Sequence, residues 1–157
     1  MIRIATADDV PVILELIRGL AEYEKLAHEV VATEADLRRT LFGNRTVAEV
    51  LIAEVDDAPA GFALFFHNYS TFLGRPGIYL EDLFVRPAAR GRGLGRALMI
   101  ALAKLAVERG CGRFEWAVLD WNVDAIRFYR SLGAVGLDAW RVQRVTGDAL
   151  VRLANLT

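Results

Sequence analysis

The sequence has one cysteine, Cys111, among 157 residues. A lone thiol excludes an intrachain disulfide and fits a reducing compartment, so a cytoplasmic location is expected. Histidine is scarce too: His28 and His67 have no second histidine at metal-ligand spacing, and no metal is expected. No apolar run approaches the ~20 residues that cross a bilayer. Residues 1–6 carry no long apolar stretch with a cleavage site, so no signal peptide is expected. Neither charge dominates, and a net charge of −1 argues against a nonspecific nucleic-acid binder. Repeats, low-complexity tracts and linkers are missing, which predicts one domain over residues 1–157.

What is present suits a globular chain with a core: 54% hydrophobic against 25% charged residues is not a disordered balance. The charges are distributed unevenly. Residues 1–36 hold eight acids and three bases, whereas residues 86–96 hold Arg86, Arg90, Arg92 and Arg96 and no acid. The acidic part could favour a cationic substrate, or simply form solvated helix faces.

The basic stretch is the most informative. Residues 78–85 read as an apolar strand interrupted by Glu81 and Asp82. A turn with Gly91, Gly93 and Gly95 follows, and then a helix with Leu94, Leu98, Ala101, Leu102, Leu105 and Ala106 on one face. A strand, a glycine-rich turn and a helix N-terminus form an anion site, because unpaired N–H groups point outward at the positive dipole end. Two familiar glycine loops fail on spacing. No Lys-Ser or Lys-Thr follows, as a P-loop requires, and a G-x-G-x-x-G reading meets Arg96 or Leu98 where the third glycine should be.

Around this stretch the expected elements are a strand at residues 2–5, a helix at 7–25 capped by Thr6, and a second helix capped by Thr33 that ends near Gly43. Strands follow at 47–55 and 60–69, joined by a turn at 56–59, with a loop at 70–77 before the strand at 78–85. The helix runs on through Arg109 to a strand at 114–119, and a short helix occupies 123–132. A last hairpin, 142–145 with 149–153, is expected about Thr146-Gly147. A helix between two apolar strands implies a parallel pair through a right-handed crossover. The fold class is α/β, a mixed central sheet with helices on both faces.

The pattern Arg90-x-x-Gly93-x-Gly95 resembles the acetyl-CoA pyrophosphate loop of the GNAT superfamily of N-acetyltransferases, and the element order resembles the GNAT fold. Further segments are similar: Tyr79-Leu80-Glu81-Asp82-Leu83-Phe84-Val85 to the central strand, and Asp120-Trp121-Asn122 with Ile126-Arg127-Phe128-Tyr129 and Leu132-Gly133-Ala134 to the segment after it. Ala21-Glu22-Tyr23-Glu24 and Trp140-Arg141 resemble the diamine (spermidine/spermine) acetyltransferases and their thialysine-acetylating relatives.

The resemblance implies transfer of acetyl from acetyl-CoA, as co-substrate, to a primary amine of a small molecule such as a diamine, a polyamine or a thialysine-like amino acid. It implies Tyr129 as general acid and Glu81 as base, acting through water. Leu83, Phe84 and Val85 would offer backbone groups to the pantetheine arm. Arg90, Gly91, Arg92, Gly93, Leu94, Gly95 and Arg96 would hold the pyrophosphate, and Asn122 and Ala125 the cofactor arm. Tyr23, Glu24, Glu81, Asp82 and Trp140 would line the acceptor side, and a homodimer is expected. Strand alternation aims Glu81 and Asp82 at opposite faces unless a bulge intervenes, and either acid could instead pair with Arg113 or Arg127. Acetylation of a protein lysine or N-terminus, or a non-catalytic acyl-CoA sensor, stays open. Residues 70–74, Ser-Thr-Phe-Leu-Gly, lack the acid found there in the polyamine enzymes, which disfavours long polyamines.

Overall fold

The computed structural model of the protein describes residues 1–156. The chain forms two compact units, Met1–Ala117 and Val118–Thr157. In the first, strands β1 (Ile2–Ile4), β2 (Glu49–Val55), β3 (Ala58–Ser70), β4 (Arg75–Val85) and β5 (Phe114–Trp116) form one sheet in that spatial order. Helices α1 (Val10–Tyr23), α2 (Glu34–Phe42) and α3 (Leu94–Glu108) complete it. The first three pairings are antiparallel and the β4–β5 pairing is parallel, as the expected crossover requires.

Strand alternation produces two buried faces. Val50, Ile52, Phe62 and Phe84 pack with Ile13, Leu14 and Leu16 of α1 and Leu37 and Leu41 of α2 in one core. Leu51, Ala53 and Ala63 alternate with that set and are buried as well, while α3 packs on β3 and β4 with Leu98 and Leu102 fully enclosed. Helices therefore cover both faces, as expected.

Local chemistry sets the boundaries. Thr6 and Asp9 form a capping box over a short 3-10 turn, and Pro11 stands in the first turn of α1, where its missing N–H costs nothing. Thr33 and Asp36 form a second box at the start of α2, at 3.2 Å from the Asp36 N–H to the Thr33 hydroxyl. Between β2 and β3 the turn is tighter than expected. Val55 pairs with Ala58, and both Asp56 and Asp57 take positive φ, 51° and 58°, as a two-residue hairpin turn of matching twist demands. β4 starts at Arg75, which shortens the expected loop to 71–74, and β5 stops at Trp116 rather than at residue 119.

In the second unit, α4 (Val123–Ser131) lies where expected, with Asn122 as its cap. The expected hairpin at 142–145 and 149–153 is absent, and α5 (Gly147–Ala154) stands in its place. Ala149, Val151 and Leu153 alternate like a strand, but Leu150 also fits a helical stripe, so a short apolar run supports either period. The chain enters the helix at an extended Thr146, at φ −138° and ψ 166°, whose side chain makes no capping bond, and Asp148 sits in the first turn near the positive dipole end.

One polar cluster ties β1, β2 and the entry to α1 together. The Arg3 guanidinium donates to both carboxylate oxygens of Asp9 at 2.7 and 2.8 Å and to Glu54 at 2.7 Å. Asp9 also accepts from the Thr6 N–H at 2.7 Å and is buried. The hydrogen bond from Arg3, outweighing desolvation, lowers the Asp9 carboxyl to about 2. A depressed acid stabilises the fold fully above its ordinary pKa and loses that contribution as pH falls through the folded value. Asp9→Asn should therefore cost about 2 kcal/mol at pH 7. In urea titrations the gap to wild type should close as pH falls from about 4 toward 2; a pH-independent gap would show that the ion pair is not its source.

Candidate active site

β4 pairs with β3 along its whole length, but the register slips between Leu64 and Phe65. Leu64 faces Asp82, whereas Phe65 faces Leu80. Glu81 is thus the extra residue of a bulge, the exception on which the expected alternation hinged. Both acids consequently line one cleft of about 410 Å³, together with Glu24 and Glu29 and an apolar wall that includes Ile17, Leu20, Leu26 and Val30.

Among the described residues neither Glu81 nor Asp82 takes an arginine partner. Arg113 pairs with Glu115 at 2.6 Å, and Arg127 lies 3.5 Å from Asp124. Among the described residues Glu24 has no ion pair either. Asp82 is half-buried. Desolvation first, then the charges of Glu81 and Glu24, raise its carboxyl to about 6, and burial also raises that of Glu24. A group of unpaired, partly desolvated acids is costly to hold empty, and a cation is what relieves it.

The end of α1 supplies Glu24. Lys25 adopts φ 62°, the Lys25 N–H bonds to Glu22 O at 3.1 Å and the Leu26 N–H to Ala21 O at 2.8 Å. This left-handed cap, with lysine where glycine is usual, reverses the chain and brings Leu26 and Glu29 back to the cleft wall.

On the other side of β4, pairing to β5 ends at Leu80, while pairing to β3 continues to Val85. Among the described residues no strand pairs with the edge from Glu81 through Leu83, Phe84 and Val85 on the β5 side, which suits an extended amide-bearing arm. A 3-10 turn at Pro87–Ala89 then leads into the glycine loop. Gly91 and Gly93 both take φ 76°, and a Cβ on either would meet nothing within 4 Å. Backbone conformation, rather than crowding within the chain, is what calls for glycine there. Gly93 caps α3 with no side-chain bond, and Gly93 O accepts first from the Ala97 N–H at 2.9 Å. The N–H groups of Leu94, Gly95 and Arg96 precede that bond and point out of the helix, as a pyrophosphate site requires.

The four arginines divide. Arg86 is engaged by Glu15 at 2.6 Å and by Pro59 O at 3.1 Å. Arg90 donates to Val85 O at 3.1 Å and lies over the Tyr23 ring, 4.8 Å from its centroid. Arg92 and Arg96 are exposed. The residues present fit a phosphorylated cofactor arm.

The other predicted residues lie in the second unit. Asn122 Oδ1 accepts from the Ala125 N–H at 3.2 Å, so these two residues form the cap of α4. Tyr129 is half-buried on the same helix, with its ring 5.3 Å from that of Phe128. Trp140 is 81% exposed. Glu29, Leu26 and the Arg90–Tyr23 stack had no signal of their own in the sequence. Glu29 stood in an acidic run that reads equally well as a solvated face, and it joins the cleft only through the reversal at Lys25.

A profile of the acetyltransferase (GNAT) family matches residues 16–134. The chain is 41% identical over 166 residues to the thialysine N-epsilon-acetyltransferase of Bos taurus, covering 99% of this chain and 97% of that protein. It is 38% identical over 200 residues to the L-ornithine N5-acetyltransferase of Arabidopsis thaliana, covering 99% and 88% respectively. An integron cassette protein from the V. cholerae mobile metagenome superposes with a TM-score of 0.83 at 28% identity, covering 99% of this chain and 98% of that one. The chain belongs to the GNAT acetyltransferase family. It is an N-acetyltransferase that transfers acetyl to an amine, and enzymes of this family use acetyl-CoA as co-substrate. Among the described residues no helix is long and apolar enough to cross a membrane.

The raised Asp82 carboxyl has a stability consequence of definite sign. An acid whose folded pKa exceeds its unfolded one destabilises the fold as pH rises from the unfolded value to the folded one. Asp82→Asn should therefore stabilise the protein at pH 7–8 by on the order of 1–3 kcal/mol and leave it unchanged near pH 3–4. Thermal melts across that range measure it; no gain at pH 8 would mean that the carboxyl is not strained.

Proposed function

We propose that the protein acetylates the side-chain amine of a short diamino acid or diamine, such as ornithine or thialysine. The observation that carries this is the single cleft lined by Glu24, Glu81 and Asp82, three carboxylates with no ion-pair partner. An alkylammonium has a pKa near ~10 and must lose a proton before its nitrogen can attack. A carboxyl near 6 accepts a proton at neutral pH far better than an ordinary aspartate, because its proton affinity lies closer to the working pH. Asp82 and Glu81 divide the base role. Asp82 carries the raised proton affinity, and exposed Glu81 passes the proton through water to solvent. By resemblance, Tyr23, Glu24 and Trp140 are assigned to the acceptor side.

Acetyl-CoA supplies an acetyl thioester. The free edge at Leu83, Phe84 and Val85 receives its pantetheine arm, and Gly91, Gly93, Leu94, Gly95 and Arg96 receive its pyrophosphate, with Arg90 and Arg92 adding positive charge. By resemblance, Asn122 and Ala125 are assigned to holding the arm, and Tyr129 to protonating the departing thiolate. The reading includes a cytoplasmic homodimer, which the lone cysteine and the resemblance to the thialysine enzymes support.

The acidic lining of the cleft suits an amine that carries more than one positive charge. The hairpin tip at residues 71–74 carries no acid that would hold a third charge. Ornithine, thialysine, lysine, putrescine, spermine and a lysine peptide should be compared with acetyl-CoA by following thiol release. The short amines should give the highest kcat/KM; turnover of the peptide alone would overturn the reading. Tyr129→Phe should lower kcat by roughly 10²–10⁴-fold, the range for losing a general acid, with the acetyl-CoA Kd from calorimetry unchanged. An unaltered kcat removes Tyr129 from the chemistry.

A further inference from the structure

We propose that Arg90 is a positioning residue that couples the cofactor loop to the acceptor cleft through the face of Tyr23. This rests on the reading that Glu24 meets the amine. Arg90 places its charge over an aromatic ring at the end of α1. Its guanidinium carbon is 4.8 Å from the Tyr23 centroid and 5.7 Å from that of Phe84, and its Nε donates to Val85 O at 3.1 Å. The plane of the group is therefore fixed from two directions, by the end of β4 and by the ring it covers. Arg86, by contrast, is held by Glu15.

Tyr23 is the last residue of α1, and Glu24 follows it directly. After Glu24 the chain reverses at Lys25, and the Leu26 N–H closes back onto Ala21 O. So tight a cap makes the direction of Glu24 follow the end of α1. A cation over the Tyr23 face pins that end to the loop, and its charge also suits the negative end of the helix dipole. The loop thereby sets the carboxylate that receives the substrate ammonium.

Arg90→Lys separates this role from phosphate binding. It keeps the positive charge but loses the planar stack and the Nε donor to Val85. For a partly exposed cation–π contact, the KM for the amine should rise about threefold to fivefold. The KM for acetyl-CoA should stay within about a factor of two, and kcat should change less than the amine KM. Tyr23→Leu should give the same split, and Tyr23→Phe, which keeps the ring face, should raise the amine KM less than Tyr23→Leu does. Arg90→Lys combined with Tyr23→Leu should be no worse than either change alone. Thermal melts of each variant confirm folding. A double variant whose amine KM is the product of the two single effects overturns the coupling, as does an Arg90→Lys effect confined to acetyl-CoA. Glu24→Gln keeps the two failures apart. If it leaves the amine KM unchanged, the acceptor reading is wrong and the coupling falls with it; if it raises that KM while Arg90→Lys does not, only the coupling is wrong.

Discussion

The slip in pairing between β3 and β4 is the constraint on which the acidic cleft depends. A regular ladder would place Glu81 and Asp82 on opposite faces of the sheet and leave at most one acid toward α1. Because Leu64 meets Asp82 and Phe65 meets Leu80, the extra residue Glu81 joins Asp82 at one cleft. The same slip returns Phe65 and Leu80 to burial in register with each other, at 1% and 2% exposure, so the core does not suffer for the bulge. Below the bulge β4 is a central strand held on both sides; above it, β5 no longer accompanies it. One strand thus serves as core, as wall of an anionic cleft and as open edge.

Two acids of this chain show opposite uses of burial. Asp9 is enclosed, yet its carboxyl is held far down because Arg3 and the Thr6 N–H compensate the lost water. Asp82 has no such partner and is pushed up by desolvation and by its acidic neighbours. The first arrangement stabilises the fold. The second destabilises the empty protein and leaves proton affinity and negative potential where a cationic amine can use them, the trade expected at a functional site.

The left-handed residues share a comparable logic. Gly91 and Gly93 bend the loop into the entry of α3, and Lys25 bends the exit of α1. Each bend turns unsatisfied backbone groups or a carboxylate toward a space that the side chains leave open. The Arg90–Tyr23 stack joins the two bends, so the loop before α3 and the end of α1 are parts of one assembly.

The sequence by itself determined the helix caps at Thr6 and Thr33, the faces of α1 and α3, the five strands and their parallel closing pair, because these depend on periodicity and short-range hydrogen bonding. It also marked the glycine loop, whose meaning lies in spacing, and resemblance supplied Tyr23 and Glu24. The nature of residues 147–154 was not legible, since the short apolar stretch Ala149-Leu150-Val151, with Leu153, satisfies a strand and a helix alike. Nor was the common facing of Glu81 and Asp82, which requires a register chosen by packing of Phe65 and Leu80 across two strands. Glu29 reached the cleft, and Arg90 its ring, only through chain reversals that bring together residues distant in sequence. Such contacts are decided by the tertiary structure because their energy comes from burial and charge proximity, and neither exists until the chain has closed.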